Sequence, residues 1–457
     1  MLGALLSLLL LIGVALGCGA LLIGKRDAGT PVIPWAGTAC LTGLCAAAFW
    51  LHTIGILKVP FAIMGGLLLL AAIAGWVRLW RAPSVRGAGW KGEAGALLPV
   101  LLLTSTPFIL CASGPSMAYD AVGCWWPAGL EVAEAGTTPD PVSDHRFRLR
   151  PEYARGLAWL YVLGGAGEAP DARFLRLVTL IFWPLTAFLL MDFGWRRGEP
   201  GMGWMAGVLV LALPELASQA ASGLGDVPVG AAAALCGVGL TLSRGGSPGL
   251  RMAVLGALGA ATFKDEGFVV WAATSGVLLW RALRGQLRGQ TLWTGLSLAV
   301  TFLGLWWRSQ AESSAFRPSA LGAIRVMGHE PGFLVGRLHD LPGTTLDRLT
   351  AHWRGLGGFV EGTPDGSWAI VFVLIFSLLV LLPRGSRGGV SVAPALILFL
   401  ALGAAVVVNP LALDHQLDSS VDRFLAQVLP LLVLAACARI FGSSTPTKTE
   451  TPSPLTS

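Results

Sequence analysis

The residues best suited to chemistry gather in one polar stretch, 113–172, which interrupts an otherwise apolar chain. It holds carboxylates that can accept a proton, a histidine, and aromatic side chains that can pack against a bound molecule. These residues are Asp120, Glu131, Glu134, Asp140, Asp144, Glu152, His145, Trp125, Trp126 and Tyr153. A stretch of this length and composition is more elaborate than a connector, and we expect the chemistry to take place there.

Further ionisable residues lie in short polar turns between later apolar runs. Asp226 lies in one such turn, Lys264, Asp265 and Glu266 form a second, and Arg423 ends a third. A carboxylate can take a proton from an attacking hydroxyl, Arg can hold a phosphate with two hydrogen bonds, and carboxylates can share a divalent cation. Charges beside hydrocarbon are unfavourable and often mark a site. The alternative is that each residue only contacts water at the interface.

These residues must be positioned by membrane helices. Hydrophobic residues make up 54% of the 457 residues and charged residues 13%, whereas soluble proteins have about 25% charged residues. The apolar runs approach the about 20 residues that a helix needs to cross a bilayer. We therefore predict an all-α polytopic membrane protein with about 13 transmembrane helices. The predicted spans are 2–24, 36–56, 60–80, 96–112, 173–194, 202–221, 227–243, 249–263, 267–281, 291–307, 368–383, 390–409 and 423–441.

The distribution of Lys and Arg predicts which loops share a side of the membrane. Short loops rich in these residues tend to face the cytoplasm, and they all fall on one side if 156–165 is not a span. That piece is too short to cross, so we expect a surface helix within the long first outer loop, 113–172. The loops 113–172 and 308–367 then face outward. The net charge of +6 is scattered through short loops rather than clustered, which argues against a nucleic-acid partner.

The composition divides the chain into five segments. They are an N-terminal three-helix membrane segment, a core with the first outer loop, a second outer loop, C-terminal membrane helices, and a Ser/Thr/Pro-rich tail expected to be disordered. In that order the segments are 1–95, 96–307, 308–367, 368–441 and 442–457. The sequence has no Walker motif, so ATP hydrolysis is not predicted, and dinucleotide chemistry is not predicted either.

Five short motifs follow one another between residues 113 and 430. They are Tyr119-Asp120 with Trp125-Trp126-Pro127, Arg150-Pro151-Glu152-Tyr153-Ala154, Asp226-Val227-Pro228, Lys264-Asp265-Glu266-Gly267, and Asp422-Arg423 with Gln427 and Pro430. In type and order these motifs resemble those of the GT-C superfamily of polyprenyl-phosphate-sugar glycosyltransferases, in particular its uncharacterised bacterial members. That superfamily includes protein O-mannosyltransferases and lipid A aminoarabinose transferases.

The resemblance implies a GT-C-like helical fold in the bacterial plasma (inner) membrane, with the active site facing the periplasm or exterior. It implies an inverting transfer of a sugar from a polyprenyl-phosphate donor, in contact with membrane lipid, to a glycan, lipid or protein acceptor. Asp120 would be the catalytic base or a metal ligand, and Lys264 and Arg423 would lie near the phosphate. The implied substrate-binding residues are Glu152, Tyr153, Asp226, Lys264, Glu266 and Arg423. A Mg²⁺ or Mn²⁺ ion on Asp120, Asp226 and Glu266 is an open expectation.

Three alternatives stay open at the level of sequence. The first is a non-catalytic member of the superfamily, because related enzymes often have Lys where this chain has Ala128. A polysaccharide polymerase or ligase of the O-antigen type is the second. It would use the loop 308–367, with Arg325, Arg337, His329 and His339 as key residues. A transporter is the third, although transporters usually place polar residues near the bilayer midplane on broken helices, and here they lie at helix ends.

Overall fold

The computed structural model describes residues 2–24, 26, 29–81, 89–113, 125–139, 155–168, 172–243, 247–264, 266–285 and 413–441. Within these ranges every regular element is a helix, which confirms the predicted all-helical class. In chain order the helices are α1 (Leu2–Ile23), α2 (Val32–Ile56), α3 (Phe61–Arg81), α4 (Gly89–Ser113), α5 (Trp126–Ala135), α6 (Gly156–Gly164), α7 (Ala172–Arg196), α8 (Pro200–Ala212), α9 (Pro214–Ala221), α10 (Asp226–Leu242), α11 (Ser247–Phe263), α12 (Gly267–Leu283) and α13 (Leu413–Phe441).

Five of the described helices, α1, α2, α3, α4 and α7, are long and apolar enough to cross a membrane. The apolar parts of α8, α10, α11, α12 and α13 are shorter, at 10–17 residues. α3 and α4 present large apolar side chains at the surface, among them Leu70, Leu102 and Ile109. Apolar helices with apolar outer faces are those of a membrane-embedded protein. The total of 13 spans and the GT-C fold stay predictions.

Glycines bring the first three helices into direct backbone contact. A Cβ atom at Gly19 would lie 1.7 Å from the Ala39 carbonyl oxygen, and one at Gly43 would lie 1.8 Å from that of Ala15. Small residues at such crossings let membrane helices pack where no hydrophobic effect drives them together. The same hydrophobic cluster continues through α7 to α13, so the N-terminal helices share one core with the helices that carry the charged turns.

Helix α6 corrects the expectation of a surface helix in the first outer loop. All nine residues of Gly156–Gly164 are buried, including Trp159 and Tyr161, and the helix packs against α2 and α5. The physical reason is that its side chains are apolar on every side, and a helix without a polar face is buried rather than laid on a surface. α6 is thus a core element that fixes the end of the loop.

The predicted span 202–221 is two helices rather than one. α8 ends at Ala212, Leu213 is extended with ψ 112°, and Pro214 begins α9. Proline disfavours the helical conformation of the preceding residue and cannot donate a hydrogen bond to the carbonyl four residues earlier. That carbonyl belongs to Val210, and the Trp183 indole Nε1 of α7 donates to it at 2.9 Å instead. The break is therefore compensated by the neighbouring helix.

Contacts between helix termini define two ends of the described bundle. At the first, which we call the basic end, arginines donate to C-terminal carbonyls of neighbouring helices, where a cation is favourable. These contacts are Arg78 to Leu21 at 3.1 Å, Arg251 to Leu22 at 2.8 Å and Arg281 to Leu240 at 2.7 Å. The opposite end, where α10 begins and α11 ends, is called the site end. These three arginines therefore lie at one end of the described bundle.

Candidate functional site

Asp226 is the centre of a buried charged cluster at the site end. It is the first residue of α10, where a carboxylate is favoured by the helix dipole, and it is fully buried. The Lys264 ammonium donates to its Oδ1 at 2.7 Å, and the Gln427 amide nitrogen donates to the same oxygen at 2.7 Å. Arg423 Nε donates to Oδ2 at 3.1 Å. Both carboxylate oxygens are therefore engaged by donors from the α11–α12 turn and from α13. We call Asp226, Lys264, Glu266, Arg423 and Gln427 the Asp226 cluster.

Helix α13 reaches Asp226 because of residue spacing on two helices. Arg423 and Gln427 are four residues apart on α13 and lie on one face of that helix. Asp226 and Gly230 are likewise four apart on α10, and a Cβ atom at Gly230 would lie 2.5 Å from the Ala426 carbonyl oxygen. The missing side chain at Gly230 lets the two helix backbones approach. The Gln427 side chain can then span to the carboxylate one turn away.

The turn between α11 and α12 supplies the cation and a second carboxylate. Lys264 is 1% exposed, and its ammonium lies 3.2 Å from Glu266 Oε1 as well as 2.7 Å from Asp226. Burial by itself would lower the pKa of Lys264, but the charges of Asp226 and Glu266 outweigh it and raise this pKa above its ordinary value. Lys264 is therefore a buried cation at neutral pH, paired on two sides.

Trp125 connects the cluster to the first outer loop. Its side chain is 1% exposed and lies against Gly225, where a Cβ atom would be 3.0 Å from the indole ring and 3.7 Å from the Lys264 side chain. The tryptophan that precedes α5 therefore packs beside the start of α10 and beside the lysine. The described piece of the loop that begins at Trp125 is thus anchored at the cluster.

Two acceptor atoms of the cluster have no hydrogen-bond partner within the described part of the chain. They are Glu266 Oε2 and Gln427 Oε1, and both atoms are buried. The orientation of the Gln427 amide follows from chemistry, because turning it over would place Oε1 against the Asp226 carboxylate. The cluster therefore contains cationic donors and, beside them, two acceptor atoms that receive no hydrogen bond within the described part of the chain. A buried open acceptor is unfavourable by about 1–3 kcal/mol unless something donates to it.

The structure brings together four of the residues predicted from sequence, Asp226, Lys264, Glu266 and Arg423. The other three, Asp120, Glu152 and Tyr153, lie outside the described residues. Gln427 was noted only as part of a motif, although its spacing of four from Arg423 on a helix predicts that both side chains share a face. No sequence pattern could show that this face meets residue 226, since the two residues are 201 positions apart.

The described part of the site does not suit a divalent metal on Asp226. The carboxylate oxygens already accept from Lys264, Arg423 and Gln427, and two of these donors are cations within 3.1 Å. A metal ion there would have to displace them and would be repelled by their charge. The expectation of a Mg²⁺ or Mn²⁺ ion therefore rests on Asp120 and Glu266 and stays a prediction.

A second polar group at the site end was missed from the sequence. The buried His52 at the end of α2 accepts a hydrogen bond at Nδ1 from the Arg155 backbone N–H at 3.4 Å. The Arg155 side chain lies 3.4 Å from Glu131 of α5. Thr138 donates to the His52 carbonyl and accepts from Trp159 at 3.0 Å. These bonds fasten both described pieces of the first outer loop to α2.

Comparison of the chain with protein-family models, with curated proteins and with solved structures finds no match in any of the three.

Proposed function

We propose that the protein is an integral membrane glycosyltransferase that uses a polyprenyl-phosphate-sugar donor. The observation that carries this proposal is the Asp226 cluster, where Lys264 and Arg423 are held as cations at one end of an apolar helix bundle. Buried ion clusters are weak contributors to stability because removing charges from water is costly. Ionisable groups at a membrane boundary more often mark a substrate site. The five motifs that resemble the GT-C superfamily include all five residues of the cluster.

The phosphate of a lipid donor matches both the charge and the position of the cluster. Arg423 has 23% of its side chain exposed, whereas Lys264 behind it has 2%. An anion can therefore meet Arg423 at the bundle surface while the buried ammonium adds to the positive field. A polyprenyl chain would lie in the hydrocarbon beside the helices, with its headgroup at the helix ends. Arg423 thus receives the phosphate, and Lys264 supports it from within.

Asp226 positions these cations and is not the base of the reaction, because its oxygens are engaged by three donors. The proton acceptor proposed from the resemblance is Asp120. It precedes Trp125 by five residues, a length of chain that covers at most about 18 Å. The acceptor hydroxyl would attack the anomeric carbon, the bond to the donor phosphate would break, and the proton would pass to the Asp120 carboxylate. Lys264 and Arg423 would stabilise the departing phosphate.

The site end is proposed to face the periplasm or exterior of a bacterial plasma membrane, because the opposite end carries the arginine-rich loops. Leu57 is exposed at the site end and Arg284 is exposed at the basic end. Six of the seven cysteines are buried in the described part of the chain, and Cys124→Ser removes the seventh. In that background, Leu57→Cys should react with a membrane-impermeant maleimide added to intact cells. Arg284→Cys should react only after the membrane is opened. The reverse pattern would contradict the proposed orientation.

Donor binding is the direct test of the proposed substrate. Purified protein in lipid nanodiscs should bind fluorescent undecaprenyl-phosphate-hexose, and Arg423→Gln should weaken this binding by about 10–100-fold, because a hydrogen bond to a charged group contributes about 1.5–3 kcal/mol. The measurement is the fluorescence anisotropy of the lipid titrated with protein.

The matched control is Arg284→Gln, which removes an exposed arginine from the basic end and should bind like the wild type. Thermal unfolding of each variant separates loss of binding from loss of fold. Equal affinity of wild type and Arg423→Gln for the lipid, with both proteins folded, would remove the proposed phosphate site.

A further inference from the structure

The Asp226 cluster contains hydrogen-bond acceptors as well as cations, and a phosphate can pair only with the cations. A phosphate offers only acceptor oxygens and negative charge, so it complements Lys264 and Arg423. It cannot donate to Glu266 Oε2 or Gln427 Oε1, the two acceptor atoms of this cluster that are buried and have no partner among the described residues. It would also be repelled by the Glu266 carboxylate, which lies 3.2 Å from the Lys264 ammonium. An occupant that satisfies the whole cluster needs donors as well as an anion.

The two open acceptors are held in place by the same contacts that hold the cations. Gln427 is fully buried, and its amide nitrogen is fixed by the bond to Asp226 at 2.7 Å, so its oxygen points away from that carboxylate. Glu266 is fixed through Oε1 by Lys264, which leaves Oε2 as its open atom. Lys264 and Gln427 share Asp226 Oδ1 as acceptor, which links the two side chains through one carboxylate. Acceptor atoms whose positions are fixed in this way are suited to hydrogen bonds from the hydroxyl groups of a polyol.

We infer that Glu266 Oε2 and Gln427 Oε1 accept hydrogen bonds from hydroxyl groups of the sugar on the lipid donor. The inference rests on the proposed function and deepens it, because it assigns sugar recognition to the cluster as well as phosphate binding. The sugar is one whose hydroxyls lie close to the phosphate-bearing carbon, since the acceptors adjoin the cations. A site that hydrogen-bonds a hydroxyl rejects a ligand lacking it, because the buried acceptor is then left unpaired.

The test compares two kinds of lipid on the same protein in nanodiscs. The first is undecaprenyl phosphate without a sugar, and the second is undecaprenyl phosphate that carries glucose, galactose, mannose or N-acetylglucosamine. Wild-type protein is expected to bind at least one sugar-bearing lipid about tenfold more tightly than undecaprenyl phosphate, the effect of about 1.4 kcal/mol. Glu266→Gln should bring that ratio close to one, because Lys264 holds the amide oxygen and the amide nitrogen at the Oε2 position cannot accept. Undecaprenyl phosphate should still bind at least as tightly as to the wild type, since the substitution removes a carboxylate that repels the phosphate. Gln427→Met, which lacks the carbonyl oxygen, should lower the ratio in the same direction.

Glu168→Gln is the matched control, because Glu168 is an exposed carboxylate in another turn of the described chain. It should keep the wild-type ratio. A ratio of one for every sugar in wild-type protein that still binds undecaprenyl phosphate would overturn the assignment of sugar recognition and leave the phosphate site standing. Failure to bind either lipid would overturn the proposed function and this inference together.

Discussion

An Asp226→Ala variant is expected to lose about 3–5 kcal/mol of unfolding free energy, the usual effect of removing one partner from a buried ion pair. The substitution leaves Lys264, which is 1% exposed, without its nearest counter-charge. It also removes the acceptor of Arg423 Nε and of the fully buried Gln427 amide. The Gln427 amide, which is fully buried, cannot reach water without moving α13 away from α10. The measurement is denaturant-induced unfolding of the purified protein in detergent micelles.

The control for this prediction is Glu134→Ala, which removes an exposed carboxylate of α5 and should change stability by less than about 0.5 kcal/mol. A paired variant sharpens the test. Asp226→Leu combined with Lys264→Met should lose less than the sum of the two single changes, because the double variant buries no uncompensated charge at these positions. If Asp226→Ala unfolds like the wild type, the cluster is not the buried, mutually dependent group described above.

An Asp120→Asn variant is expected to lose sugar transfer by about 10²–10⁴-fold, the range for removal of a general acid or base. The amide keeps the size of the side chain but cannot accept the proton of the attacking hydroxyl. Binding of the lipid donor should change by less than about twofold, because the proposed phosphate site consists of Lys264 and Arg423. The measurement is the amount of surface glycan in cells that make each variant, alongside donor binding in nanodiscs.

Asp144→Asn, in the same outer loop, serves as the matched control and should leave the glycan unchanged. Normal glycan with normal levels of Asp120→Asn protein would rule out the catalytic role of Asp120. Arg337→Ala separates the O-antigen polymerase or ligase alternative. Loss of glycan in Arg337→Ala but not in Asp120→Asn would favour that reaction over transfer from a lipid-phosphate donor.

Much of the helical framework could be predicted from the apolar runs. The predicted spans 60–80 and 173–194 correspond to α3 (Phe61–Arg81) and α7 (Ala172–Arg196) within two residues at each end. Hydrophobic length is a local property, and about 20 apolar residues suffice to indicate a crossing. The break at Pro214 was predictable in principle, since proline ends helices by local chemistry. The prediction of one continuous span failed because hydropathy alone does not register that break.

The site could be predicted only in part, because its contacts are not local. The charged turns at Asp226 and Lys264 were visible as polar interruptions at helix ends. Their pairing with α13 depends on the close approach at Gly230, and one glycine in an apolar helix does not reveal its neighbour. The buried position of α6 was missed for a related reason. Its nine residues are too few to span a bilayer, and their apolar composition alone does not show that they pack inside the protein.

Because Asp226 accepts from α13, the cluster depends on the order in which the chain is made. Synthesis delivers Asp226 and Lys264 first, 38 residues apart, and these two can neutralise each other as soon as both have entered the membrane. Arg423 and Gln427 follow more than 150 residues later in the sequence. A nascent or truncated chain that ends before them lacks the partly exposed cation and the amide. The ribosome must therefore pass Gln427 before the cluster exists, so a chain that stops short of α13 would lack the proposed donor site.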